Sequence, residues 1–187
     1  MAQEVYLIRH AQSEANAALD LDNPTFYYDA RITSLGKEQA LITHKKLKHI
    51  NFDLMLCSPL TRTLETFSLI FPKPIPNTII LPFVREHLGH SCDVGRQPNI
   101  LEKEFPHLNF DEVKDFWWNN DIPIGEKNIN SETIEDLDNR ILKFKNWISK
   151  RPEKKIALIS HGTFICRIIQ FFLFNCEYQI WLPNNGK

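Results

Sequence analysis

Short unbroken apolar runs punctuate the chain, and between them apolar positions recur at wider, helical spacing. The runs fall at residues 5–8 (Val-Tyr-Leu-Ile), 53–57 (Asp-Leu-Met-Leu-Cys), 78–81 (Thr-Ile-Ile-Leu) and 155–160 (Lys-Ile-Ala-Leu-Ile-Ser). They lack the in–out alternation of a strand with one wet face, so they predict parallel strands covered on both sides. Helices are expected between them. One spans 11–19. A second spans 35–48, capped by Thr33 or Ser34, with Leu35, Ala40, Leu41 and Leu47 on its inner face. A third has Pro59 in its first turn, runs through Leu60, Leu64, Phe67 and Ile70, and stops before Pro72. Ser131 is expected to cap a long helix to about residue 150, with Ile134, Leu137, Ile141, Phe144 and Ile148 facing inward. A last helix is expected over 163–174, and residues 178–182 fit an edge strand. Strand and helix alternate, which predicts an α/β layered fold around a parallel sheet.

Two stretches break the rhythm. Residues 20–31 carry Asn23-Pro24 and the aromatics Phe26, Tyr27 and Tyr28, as a loop covering something would. Residues 83–130 hold Gly89, Gly95, Pro98, Pro106, Pro123 and Gly125, with one helical stretch expected at 110–118. This segment reads as an insertion within a single domain of 1–187, forming part of a pocket rim.

Length and charge narrow the function. A chain of 187 residues is enough for one full core. Its net charge of −1 provides no global field for nucleic acid or an anionic membrane, so any attraction for an anion is local. No apolar stretch is long enough to span a bilayer. Cys57, Cys92, Cys166 and Cys176 lack metal-type spacing, and Cys57 and Cys166 lie in apolar runs, as buried reduced thiols do. A cytoplasmic protein is expected.

Chemistry gathers where the runs stop. Arg9-His10 follow the first, Ser58-Pro59 and then Arg62 the second, Arg85-Glu86 the third, and His161-Gly162 the fourth. In a parallel sheet these positions meet at one edge, the place where ligands bind. Two guanidinium groups and two imidazoles there make an anion pocket, because Arg can fork around phosphate or carboxylate oxygens. The helix beginning near residue 163 would add backbone donors at its positive end. Neighbouring cations also disfavour a protonated imidazole, leaving one histidine neutral and able to attack phosphorus. A carboxyl is needed to protonate the leaving oxygen. Glu86 is the best placed, with Glu14, Asp29 and Asp93 as rivals.

These residues carry a resemblance. Arg9-His10-Ala11-Gln12-Ser13-Glu14-Ala15-Asn16, Ser58-Pro59-Leu60-Thr61-Arg62-Thr63, Arg85-Glu86 and Ser160-His161-Gly162 resemble, in order, the motifs of the histidine phosphatase superfamily, the phosphoglycerate mutase-like family. Residues 29–36 resemble its Asp-x-x-Leu-Thr-x-x-Gly stretch, with Ile32 for Leu. Ala11 stands where the family usually has Gly. The resemblance implies a phosphoglycerate mutase-like fold, a three-layer αβα architecture with a mostly parallel central sheet. It implies His10 as phospho-accepting nucleophile and Arg9, Arg62 and His161 as phosphate ligands. It also implies Glu86 as proton donor, with Ser13 and Asn16 lining the pocket and Gly162 beside them. The expected activity is metal-independent hydrolysis of a small phosphomonoester through a phosphohistidine, with no cofactor. A mutase of phosphoglycerate type and a phosphate-binding module without turnover are the alternatives. After the acidic residue, mutases carry a Tyr-Gly-x-Leu-x-Gly segment, and this chain has His87-Leu88-Gly89-His90-Ser91-Cys92-Asp93 instead, which favours the hydrolase.

Other features read as structure. His87, His90, Cys92 and Asp93 fit no standard zinc pattern. Lys143, Lys145, Lys150, Arg151, Lys154 and Lys155 read as a solvated face rather than a nucleic-acid site. Tyr27, Tyr28, Trp117 and Trp118 read as core or rim packing ahead of pocket lining.

Overall fold

A computed structural model describes residues 3–20, 27–119 and 131–183. Much of the loop expected at 20–31 and the end of the irregular middle, including Pro123 and Gly125, therefore lie outside the described residues. Five strands form one sheet: β1 (Glu4–Arg9), β2 (Leu54–Cys57), β3 (Thr78–Ile80), β4 (Lys155–Ser160) and β5 (Tyr178–Trp181), in the order β3-β2-β4-β1-β5. The first four are parallel, and β5 closes the edge antiparallel to β1. The parallel strand that comes last in the sequence, β4, slots between β1 and β2. This register sets Leu7 beside Leu158 and Arg9 beside Ser160.

Alternate residues of each buried strand supply two cores. Tyr6, Ile8, Met55, Cys57 and Ile159 face one side, where α2 (Ser34–Leu47) and α3 (Thr61–Ile70) contribute Ala40, Leu47, Leu64 and Phe67. Val5, Leu7, Leu56, Ile156 and Leu158 face the other, against Leu137, Ile141 and Phe144 of α5 (Ile134–Ser149) and Phe164 and Ile165 of α6 (Gly162–Ile169). Helices thus cover both faces of a mostly parallel sheet, the three-layer arrangement expected from the continuous apolar runs.

Several elements differ from expectation. The first helix, α1 (Glu14–Asp20), begins three residues late, because residues 11–13 stay extended and Ser13 bridges to Ile32. Leu35 and Leu41 of α2 are exposed, and Gly36, Ala40, Thr43 and Leu47 form its buried face instead. Helix α3 starts after Pro59, with Leu60 as its N-cap. Thr133, not Ser131, caps α5, because Asp136 three residues on completes a reciprocal capping box. Ile134, one residue inside the helix, is exposed. Gln170 turns left-handed at φ 69° and ends α6 five residues early. The stretch 110–118 is not helical. A short helix, α4 (Pro98–Glu104), with proline in its first turn, occupies the middle segment instead. Trp117 and Trp118 are buried, with ring centroids 5.5 Å apart, whereas Tyr28 is exposed. All four cysteines are unpaired; Cys57 and Cys176 are the buried ones, and Cys166 is only half-buried. Among the described residues, no helix is long and apolar enough to cross a membrane.

Candidate active site

The C-terminal ends of β1, β2 and β4 place the reacting groups. Pairing of β1 with β4 continues one residue past the strand, where His10 N donates to Ser160 O at 3.0 Å. His10 and His161 therefore stand side by side, buried, with ring centroids 5.1 Å apart. His10 Nδ1 lies 2.7 Å from the Ala11 carbonyl oxygen, a contact that only a protonated nitrogen makes. The tautomer that follows keeps the lone pair on Nε2. Arg62, in the first turn of α3, donates to that nitrogen from Nε at 3.3 Å. His161 Nε2 is 2.8 Å from Ser58 Oγ, at the end of β2, while its buried Nδ1 has no hydrogen-bond partner among the described residues.

Burial pushes both imidazoles well below the ordinary histidine range. For His10, Arg62 adds to the effect and outweighs the Ala11 carbonyl, with Arg9 a smaller contributor. For His161, Arg62, His10, Arg140 and Arg9 act in the same direction after burial. Two neutral imidazoles beside two guanidinium groups form a pocket that is positive without titrating near neutrality.

Arg9 donates to Leu173 O at 2.7 Å, and a Cβ added at Gly162 would lie 3.3 Å from Arg9 Nε, so glycine admits the guanidinium against the start of α6. Ala11, in place of the family's Gly, has its methyl fully buried, and its N–H donates to Thr66 Oγ1 at 3.0 Å. Ser13 and Asn16 cap each other: Ser13 N donates to Asn16 Oδ1, and Asn16 N donates to Ser13 Oγ, both at 3.2 Å. Asn175 joins this pair to His10, donating from Nδ2 to His10 O at 2.9 Å and to Asn16 Oδ1 at 3.2 Å.

Glu86 sits against the first turn of α6, where its carboxylate accepts from Thr163 N (3.1 Å) and Phe164 N (3.2 Å), and from His87 N (2.9 Å). The helix donors expected to face an anion are thus taken by Glu86, a correction to the expected pocket. Its rivals have other partners, and that of Asp93 lies in the pocket itself. Asp29 holds Thr61 N (2.8 Å) and Thr61 Oγ1 (2.5 Å), and Asp93 is paired with Arg62 at 3.0 Å. The exposed Glu14 accepts a long contact, 3.4 Å, from Arg31 N. Among the described residues, no three His, Cys, Asp or Glu side chains are grouped to hold a metal.

The structure brings His10, Arg62 and His161 into direct contact, with Arg9 packed against Gly162 and Glu86 on the next residues of α6. Asp93, weighed above as an acid, is instead the ion-pair partner of Arg62. Ser58, which follows the second run, had no role assigned and is the partner of His161. Thr66 and Asn175 were missed, and tertiary hydrogen bonds join them to the pocket.

The sequence profile of the histidine phosphatase superfamily, branch 1, matches residues 5–183. The chain belongs to that superfamily. Phosphoglycerate mutase-like protein 1 of Arabidopsis thaliana is 29% identical over 216 residues, covering 94% of this chain and 74% of that protein. An adenosylcobalamin/alpha-ribazole phosphatase of Escherichia coli is 23% identical over 163 residues, covering 84% of this chain and 72% of its own. The crystal structure of the alpha-ribazole phosphatase from Shigella flexneri superposes with a TM-score of 0.66 at 21% identity, over 95% of this chain and 89% of that one. The αβα fold is thus that of the histidine phosphatases, and membership of the superfamily makes this chain an enzyme of phosphatase type.

Proposed function

We propose that the protein is a metal-independent phosphatase that hydrolyses a small phosphomonoester through a phosphohistidine on His10. The observation that carries this reading is the division of labour on one ring: Nδ1–H donates a hydrogen bond to Ala11 O, which leaves the lone pair on Nε2, facing Arg62. In the first step Nε2 attacks phosphorus, the phosphorus–oxygen ester bond breaks, and Glu86 protonates the departing oxygen. In the second, the Glu86 carboxylate takes a proton from water, the resulting hydroxide attacks phosphorus, and the phosphorus–nitrogen bond breaks. Inorganic phosphate leaves and His10 returns to its neutral form. Arg9, Arg62 and Nδ1 of His161, unpartnered among the described residues, are the groups assigned to the phosphoryl oxygens, with the amide nitrogen of Asn16. Charge neutralisation and in-line placement are what such a transfer needs.

Release of an aryl alcohol from an aryl phosphate in the presence of chelator tests the reading. Turnover that survives chelation and disappears in His10→Ala is expected. Isomerisation of phosphoglycerate with a bisphosphate primer, without hydrolysis, would favour a mutase instead, and binding of phosphate esters with neither activity would favour a recognition module.

A further inference from the structure

We infer that Asp93 is the positioning residue for Arg62, aiming the guanidinium at the phosphoryl group. The inference rests on the phosphatase reading of the pocket. Both side chains are about 95% buried, and their ion pair measures 3.0 Å from NH2 to Oδ1. Arg62 is gripped on its other branches as well: NH1 donates to Cys92 O at 2.6 Å, and Nε donates to His10 Nε2 at 3.3 Å. An arginine has five N–H groups, so these three bonds leave one on NH1 and one on NH2 for a ligand. A carboxylate this close to a pocket for a dianion repels the ligand, so its presence needs a compensating role. Orientation supplies it, because a long, rotamer-rich side chain held at three points loses its freedom before the substrate arrives.

Asp93 is itself fixed. Its Oδ2 accepts from His90 N at 3.0 Å and Gly89 N at 3.4 Å. Upstream, Leu88 N and the His87 ring are tied to Glu132, which Arg140 clamps at 2.6 Å. Arg140 also donates to Arg85 O and Glu86 O. Residues 86–93 are therefore one braced segment, with the proposed proton donor at its start and the holder of Arg62 at its end. This is the stretch in which the chain departs from the mutase pattern.

The two carboxylate oxygens have separate tasks, and that makes a selective cut possible. In Asp93→Asn the amide oxygen can keep the bonds from His90 N and Gly89 N, while the amide nitrogen stands where Arg62 needs an acceptor. The test is a cycle of wild type, D93N, R62A and the double variant, read by kcat/KM on an aryl phosphate, by calorimetric Kd for inorganic phosphate, and by melting temperature. We expect D93N to lower kcat/KM by between about 10-fold and 100-fold and to weaken phosphate binding, with little change in melting temperature. In the R62A background D93N should change neither quantity by more than about twofold, because coupled residues do not add. Equal effects of D93N in both backgrounds, tighter phosphate binding in D93N, or a loss of stability without loss of turnover would each overturn the inference. If R62A itself leaves phosphate affinity untouched, the pocket reading fails and takes this inference with it; a damaging R62A with a silent D93N refutes the role of Asp93 alone. Should D93N not fold, Asp93→Ser, which keeps a hydroxyl acceptor without the charge, runs the same cycle.

Discussion

On the proposed mechanism His10 attacks phosphorus only while one ring nitrogen keeps its lone pair, and the contacts around it decide which one. Removing the ring in His10→Ala should abolish turnover, while the native melting profile is retained. Arg62→Ala should cost far more turnover than Lys143→Ala, on the order of 100-fold or more, because on the proposed mechanism Arg62 neutralises charge that is transferred while Lys143 lies over the Phe83 ring on the outer layer. Steady-state kcat/KM of the two variants checks this, and equal small losses would remove Arg62 from the pocket. Glu86→Gln should harm esters with poor leaving groups most, since an acid matters most where the departing oxygen is most basic. A uniform loss across a leaving-group series would make Glu86 a brace for α6 and nothing more. At this scale the sequence revealed Arg9, His10 and His161, which lie at strand ends, because adjacency along the chain and adjacency in the sheet coincide there; Glu86 follows β3 only after the turn at Pro82–Val84. Asp93, Thr66 and Asn175 reach the pocket across 31, 55 and 165 positions of sequence, and no local pattern encodes such pairings.

At the scale of elements, the strands and the helices of the two layers were legible because burial on two sides leaves continuous apolar runs, and one-sided burial leaves a helical period. The middle segment misled for a physical reason. Phe110, Val113, Trp117 and Trp118 recur at helical spacing and are all buried, yet Phe116 has φ 54° and residues 111–112 form a turn. Spacing alone records which side chains face the core, not the backbone that takes them there. The loop after β1 depends on another contact, one that a glycine in the first turn of α2 permits. A Cβ added at Gly36 would fall 2.3 Å from Gln12 O, so the first turn of α2 lies directly on the backbone that follows His10. Gly36→Ala must push that backbone away. It should cost about 1–3 kcal/mol in stability, as overpacking does, and lower turnover as well, because the displaced residues carry Ser13 toward Asn16. Denaturant midpoints and kcat/KM measured together check this; a stability loss with unchanged kinetics would show that the loop yields without moving the pocket.

For the whole molecule, the pocket is a source of instability that the two cores must offset. Its C-terminal position in the sheet packs two imidazoles and several guanidinium groups into a region closed to solvent, and burial with the nearby cations keeps both histidines neutral. In the unfolded chain the same side chains protonate near their ordinary value of about 6.5. Below that pH the unfolded state binds protons that the folded state refuses, so stability is fully present above the ordinary histidine range and falls with acidification. The limiting slope is about 1.4 kcal/mol per pH unit for each histidine that stays neutral in the fold. Urea midpoints taken between pH 7.5 and pH 5 should therefore decline, and the decline should be shallower in His10→Asn, which removes one of the two titrating rings while leaving an amide in its place. Carboxylates held by hydrogen bonds, such as Asp53 on Lys154 N and Lys155 N, add their own losses at lower pH, nearer the ordinary carboxylate range. Burial pushes the Asp29 carboxyl up toward this window, and the chain has five further histidines, so the difference between wild type and His10→Asn is what isolates the His10 ring. Equal slopes in the two proteins would mean that His10 takes up a proton in the folded protein, and the neutral nucleophile that the proposed mechanism requires would not exist there.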